Sequence, residues 1–96
     1  MFHHIVMLNF KEPLQQSDQD YIVGVCEEMK RDLPGILSIE FVSNVSNRSP
    51  AYTHAFVTAF IDEAAHDHYQ TAPLHVPLKQ KVVELIDNLV VLDYRI

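Results

Sequence analysis

Cysteine occurs once in this chain of 96 residues, glycine twice and tryptophan not at all. A lone thiol, Cys26, excludes an internal disulfide. It falls among apolar helical positions, which makes it a buried, inert thiol rather than a nucleophile. Two glycines, Gly24 and Gly35, are too few for a phosphate-cradling loop, and no Gly-x-Ser-x-Gly elbow is present. Basic residues are also scarce: seven Lys and Arg against thirteen Asp and Glu, for a net charge of −6. They are scattered singly, so the electrostatic stripe that nucleic acid requires is missing. The acidic balance argues equally against an anionic membrane surface. No run approaches the ~20 apolar residues of a membrane helix. The apolar start ends at Lys11-Glu12 without the basic opening and cleavage site of a signal peptide. The expected location is the cytoplasm.

What the chain has in quantity is apolar side chains, 48% of all residues. No repeat, linker or low-complexity tract divides them, so a single domain is expected over residues 1–96. A domain of this size buries only about two-thirds of its unfolded surface. That interior is too small for so much apolar material. A second copy covering one face is the simplest outlet, and a symmetric homodimer is the commonest form.

The apolar periodicity sets the element order. Residues 2–10 alternate as a strand, with Phe2, His4, Val6, Leu8 and Phe10 on one face and His3, Ile5, Met7 and Asn9 on the other. Ser17 is placed to cap a helix through Tyr21, Ile22, Val25, Cys26 and Met29, which Leu33-Pro34-Gly35 stops. Residues 36–42 read as a second strand. A polar connection over 43–51 leads to a third strand over 52–61. Its inner face carries Tyr52, His54, Phe56, Thr58 and Phe60. Its outer face, with Ala55, Val57 and Ala59, is small and branched, suited to a dimer seam. Asp62 caps a short helix over 63–70. Pro77 opens another that runs to about residue 87, and a last strand covers 89–96. The order is β-α-β-β-α-α-β, an α+β plan with helices on one face of a mainly antiparallel four-stranded sheet.

Histidine is the residue that suggests chemistry. His4 and His54 fall on inner strand faces, where an imidazole needs a partner: another histidine, a buried water, or a ligand carbonyl. A satisfied structural network would also account for them. His75 and Tyr69 form a second pair. A neutral imidazole can take a proton at neutral pH, and a nearby phenol can orient it or donate to a developing enolate. The plainer alternative is that His75 packs a turn and Tyr69 fills the core. A metal site finds no support in the spacing, because His3 and His4 point to opposite faces and His66 and His68 lie about 200° apart on a helix. His3, His66 and His68 are therefore expected at the surface or at an interface. Asp93 and Glu40 could pair, but nothing in their spacing requires it, and Asp93-Tyr94 is expected to fix the last strand.

The order of short motifs resembles the stress-responsive dimeric α+β-barrel family, Dabb. The resemblance rests on His4-Ile5-Val6 with Phe10-Lys11, Leu33-Pro34-Gly35-Ile36, Tyr52-Thr53-His54, Phe60 with Asp62, Tyr69, Pro73-Leu74-His75 and Val91-Leu92-Asp93-Tyr94. It implies a ferredoxin-like half-barrel whose sheet packs on that of a second subunit. One branch is a plant polyketide cyclase that closes a linear tetraketide by aldol condensation without a cofactor. Its catalytic histidine and tyrosine match His75 and Tyr69, and its two pocket histidines match His4 and His54. A pocket tyrosine of the cyclase falls at Cys26. The family's His-Pro-x-His reads Ala72-Pro73-Leu74-His75 here, and Pro77 is an added departure, so the cyclase's own substrate does not carry over. Three expectations follow: a homodimer binding a small apolar carbonyl-bearing ligand, a cofactor-free lyase, cyclase or isomerase, or a structural homodimer alone. None calls for a cofactor or a metal.

Overall fold

The computed structural model describes residues 1–96. Seven elements follow in the order β1 (Phe2–Phe10), α1 (Gln16–Asp32), β2 (Ile36–Ser43), β3 (His54–Phe60), α2 (Glu63–Thr71), α3 (His75–Leu85) and β4 (Ile86–Arg95). The strands form one sheet in the order β2-β3-β1-β4, and every pairing is antiparallel. This is the ferredoxin-like arrangement. The strand alternation sends Phe2, Leu8, Ile39, Phe56 and Phe60 into the core, where they meet Ile22, Cys26 and Met29 of α1, Tyr69 of α2, and Leu78 and Val82 of α3. No helix is long and apolar enough to cross a membrane.

Several boundaries differ from the sequence reading. Helix α1 begins at Gln16, one residue before Ser17, and Gln15 at its N-cap makes no side-chain hydrogen bond. The Gln16 amide donates to Asp20 at 2.8 Å. Helix α3 starts at His75, so Pro77 sits within the first turn, where no intrahelical donor is lost. It stops at Leu85 and the chain enters β4 directly at Ile86. Asn88 stops nothing: it is a strand residue paired with Asn9.

The face of the sheet away from the helices is open and apolar. Val57, Val90, Leu92 and Tyr94 are all exposed there, with Ile5 and Met7 half-buried between them. His3 stacks on Tyr94 across the β1–β4 pair, with ring centroids 4.6 Å apart. Such a patch on a small chain marks an interaction surface.

Candidate functional site

A cavity of about 350 Å³ lies between the helix-facing side of the sheet and helices α2 and α3. Val6, Phe56, Leu78 and Val82 form apolar walls, and His4, Tyr69, His75 and Asp93 supply the polar groups. Val83 and Lys79 of α3 and Leu89 and Val91 of β4 line it while remaining exposed, so it opens between α3 and β4.

Each polar group is placed by local structure. His4 and Asp93 are direct cross-strand partners on β1 and β4. His4 Nδ1 donates to Asp93 Oδ1 at 2.5 Å. In the neutral ring that tautomer leaves Nε2 as a free acceptor. Tyr69 lies in the last turn of α2 and His75 begins α3, and the bend between the helices stacks the two rings with centroids 4.0 Å apart. His75 Nδ1 faces the Gln70 carbonyl oxygen at 3.4 Å. Burial first, and repulsion from the like charge of a Cys26 thiolate second, push the Tyr69 phenol well above its ordinary value. It therefore remains a proton donor at neutral pH.

Three of the five residues singled out by sequence, His4, Tyr69 and His75, line the cavity. His54 does not. Its strand face was read correctly, but it pairs with Leu8, four residues along β1 from His4, or about 13 Å away at strand rise. There it stacks on Phe41 at 5.2 Å and meets the edge of Phe10 at 5.3 Å. Its Nδ1 lies 2.8 Å from the Thr53 hydroxyl. Cys26 is also outside the cavity, packed in the core with its thiol pushed up to about 12, mainly by burial.

Two contributing residues were missed. Asp93 faces His4 instead of Glu40, which lies on β2 at the far edge of the sheet. His66 was expected at the surface or at an interface, yet its side chain is 12% exposed and packs inside the single chain. Its ring lies 4.8 Å from His4, 4.6 Å from Phe2 and 5.4 Å from Phe60. The signal was present in the spacing: His66 and Tyr69 stand at i and i+3 on one helical face. Beside this cluster, Thr58 is paired with His4 across β1–β3, and its buried hydroxyl has no partner.

Burial is the leading cause that holds His54, His66 and His75 below the ordinary imidazole value. For His66 the charge of His4 adds to it, and for His75 that of Lys79 does. The unfolded chain therefore takes up protons first. The stability these neutral rings contribute is complete above about pH 6.5 and is lost as pH falls through their lower folded values. Thermal melts at fixed protein concentration should show Tm falling between pH 7.5 and pH 5. A flat or rising Tm over that interval contradicts the assignment.

A family model described as the stress responsive A/B barrel domain, Dabb, matches residues 2–96. No curated protein matches the sequence. Among solved structures, a dimeric ferredoxin-like protein of unknown function from Jannaschia sp. CCS1 superposes with a TM-score of 0.88 at 23% identity, covering 99% of this chain and 98% of that one. The hydroxynitrile lyase from Passiflora edulis gives 0.83 at 21% identity over 99% and 92% of the two chains. A Dabb family protein with a ferredoxin-like fold from Mesorhizobium loti gives 0.79 at 20% identity over 99% and 95%. At these identities the likeness to solved structures is one of fold. The match over nearly the whole length, on the element order and sheet described above, places this chain in the stress-responsive A/B barrel (Dabb) family.

Proposed function

We propose that the chain acts as a cytoplasmic homodimer that binds a small apolar carbonyl compound in the cavity of each subunit. One observation carries this reading: a cavity of about 350 Å³ has apolar walls and a phenol and two imidazoles among its lining. Such pockets fix a mostly apolar ligand through a few placed polar groups. The neutral Tyr69 hydroxyl is suited to donate to a carbonyl oxygen. The dimer rests on the open apolar sheet face and on the dimeric state of the Jannaschia neighbour.

The His4–Asp93 pair favours a second reading, cofactor-free acid–base catalysis of lyase or isomerase type. A carboxylate at Nδ1 orients the ring and stabilises it once protonated, so Nε2 can remove a proton. If that proton comes from a hydroxyl, the adjacent carbon–carbon bond can break to give a carbonyl, whose oxygen Tyr69 and His75 would hold, while the departing carbanion keeps the bonding pair and takes the proton back from His4 Nε2. The hydroxynitrile lyase among the neighbours shares the fold in which this would happen.

Nuclear magnetic resonance titration with a panel of small aromatic and aliphatic aldehydes and ketones tests the binding. Saturable shifts are expected at His4, Tyr69 and His75. Tyr69→Phe should weaken affinity by about three- to tenfold, the worth of one hydrogen bond. If none of the panel saturates, or if Tyr69→Phe binds as tightly as the parent, the cavity is not the site. For the catalytic reading, His4→Gln, which removes the base, should abolish turnover, and His75→Ala, which removes one hold on the carbonyl oxygen, should lower it, both with dimer stability nearly unchanged; a large loss of thermal stability would instead mark a structural role.

A further inference from the structure

The cluster of His4, His66 and Asp93 has more capacity than the ligand reading uses. One ligand atom from each lies within 4.8 Å of the others. In sequence the three residues are far apart, so the local spacing of the histidines gave no sign of them as a set. The fold draws them from β1, α2 and β4.

We propose that His4, His66 and Asp93 form a three-residue site for a divalent transition-metal ion of the zinc type. The inference does not depend on what organic ligand the cavity takes. Two imidazole nitrogens and one carboxylate oxygen are a donor set for zinc-type ions; calcium and magnesium prefer oxygen ligands throughout. Three protein ligands leave a fourth position open. His4 and Asp93 both line the cavity, so that position faces the space a ligand would fill.

The scaffold is largely set. The β1–β4 ladder fixes His4 and Asp93 as direct partners. The Phe2 and Phe60 rings hold His66 against His4. Metal-bound histidines generally rest their second nitrogen on an outer acceptor. For His66 the Asp67 carboxylate is the group at hand, 3.6 Å from Nδ1 and within reach of a small side-chain rotation. Its Nε2 is engaged only by the Gln70 side-chain amide, at 2.9 Å. Closing the three donors on one ion needs ligand atoms about 3.3 Å apart, the spacing of a tetrahedron with bonds near 2.0 Å. That is a side-chain adjustment, with His4 and Asp93 parting slightly to admit the ion.

The test is calorimetric titration of the chelator-stripped protein with zinc chloride at pH 7.5, repeated with cobalt(II) to read coordination from its visible absorption. No carbonyl compound is present, so the outcome is separable from that of the ligand reading. One equivalent per chain is expected, with a tetrahedral cobalt spectrum. His66→Phe keeps the aromatic packing and removes the nitrogen; it should weaken binding by at least about tenfold. Asp93→Asn should do the same, and circular dichroism of the stripped variants should match the parent. His68→Ala, at an exposed position on the same helix, should change nothing. Absence of saturable binding overturns the site. So does binding that survives both His66→Phe and Asp93→Asn, or that disappears with His68→Ala, because the ion would then sit on surface histidines.

Discussion

Val57→Asp is expected to turn the proposed dimer into a folded monomer. Val57 stands on the outer face of β3, 38% exposed in the single chain and directly opposite Ile5 of β1. Val90 and Leu92, the β4 partners of Met7 and Ile5, extend the same apolar surface. In a sheet-on-sheet dimer this surface would become dry. An uncompensated buried charge costs about 3–5 kcal/mol, and two-fold symmetry places two of them in one seam. Association should therefore weaken by about four powers of ten or more. Val45→Asp is the control, because Val45 is 98% exposed in the β2–β3 connection and should leave assembly unchanged. Sedimentation or light scattering reads the mass, and circular dichroism confirms that the monomer keeps its fold. A Val57→Asp variant that remains dimeric with an unchanged Tm would show that the dimer uses another face.

Which parts of this architecture are legible in sequence follows from the range of the interactions involved. Strand parity is local, and it put His4, Thr58, Phe56 and His54 on the helix side without any tertiary information. It says nothing of position along the strand. His54 thus fell on the right face and in the wrong place, because the β1–β3 register, a long-range pairing, sets it opposite Leu8. Asp93 is a similar case: its partner depends on β4 pairing with β1 at the sheet edge, and β2 with Glu40 ends at the other edge. The helix ends went astray for a different reason. Ser17 carries a strong local capping preference, yet α1 starts at Gln16 with no side-chain cap at all. Tertiary packing of Ile22, Cys26 and Met29 outweighs the small capping term. The α3–β4 junction gave no turn signal because the chain passes from helix to strand without a loop.

Gly35→Ala should destabilise this chain strongly although it adds a single methyl group. Gly35 has φ of +84°, in the left-handed region, where an L side chain costs about 1–2 kcal/mol. A Cβ there would come within 2.5 Å of the Ala65 Cβ and 3.3 Å of the Ile61 Cγ1. Ala65 has no rotamer into which it can retreat, so relief requires α2 to move. The Gly35 carbonyl also accepts from the Ile61 amide at 2.9 Å, which ties this turn to the start of α2. Overpacking of this kind adds about 1–3 kcal/mol, for a combined loss of about 2–5 kcal/mol. Urea denaturation should show a much lower midpoint with an unchanged slope. Gly24→Ala provides the contrast: nothing lies within 4 Å of a Cβ there, and helix propensity should raise stability by about 1 kcal/mol. Because α2 carries both His66 and Tyr69, a shift forced at Gly35 should reach the cavity as well. In Gly35→Ala the resonances of His66 and Tyr69 should move while those of His54, at the other end of the sheet face, stay in place. If Gly35→Ala is as stable as the parent, the turn after α1 does not brace α2 as described.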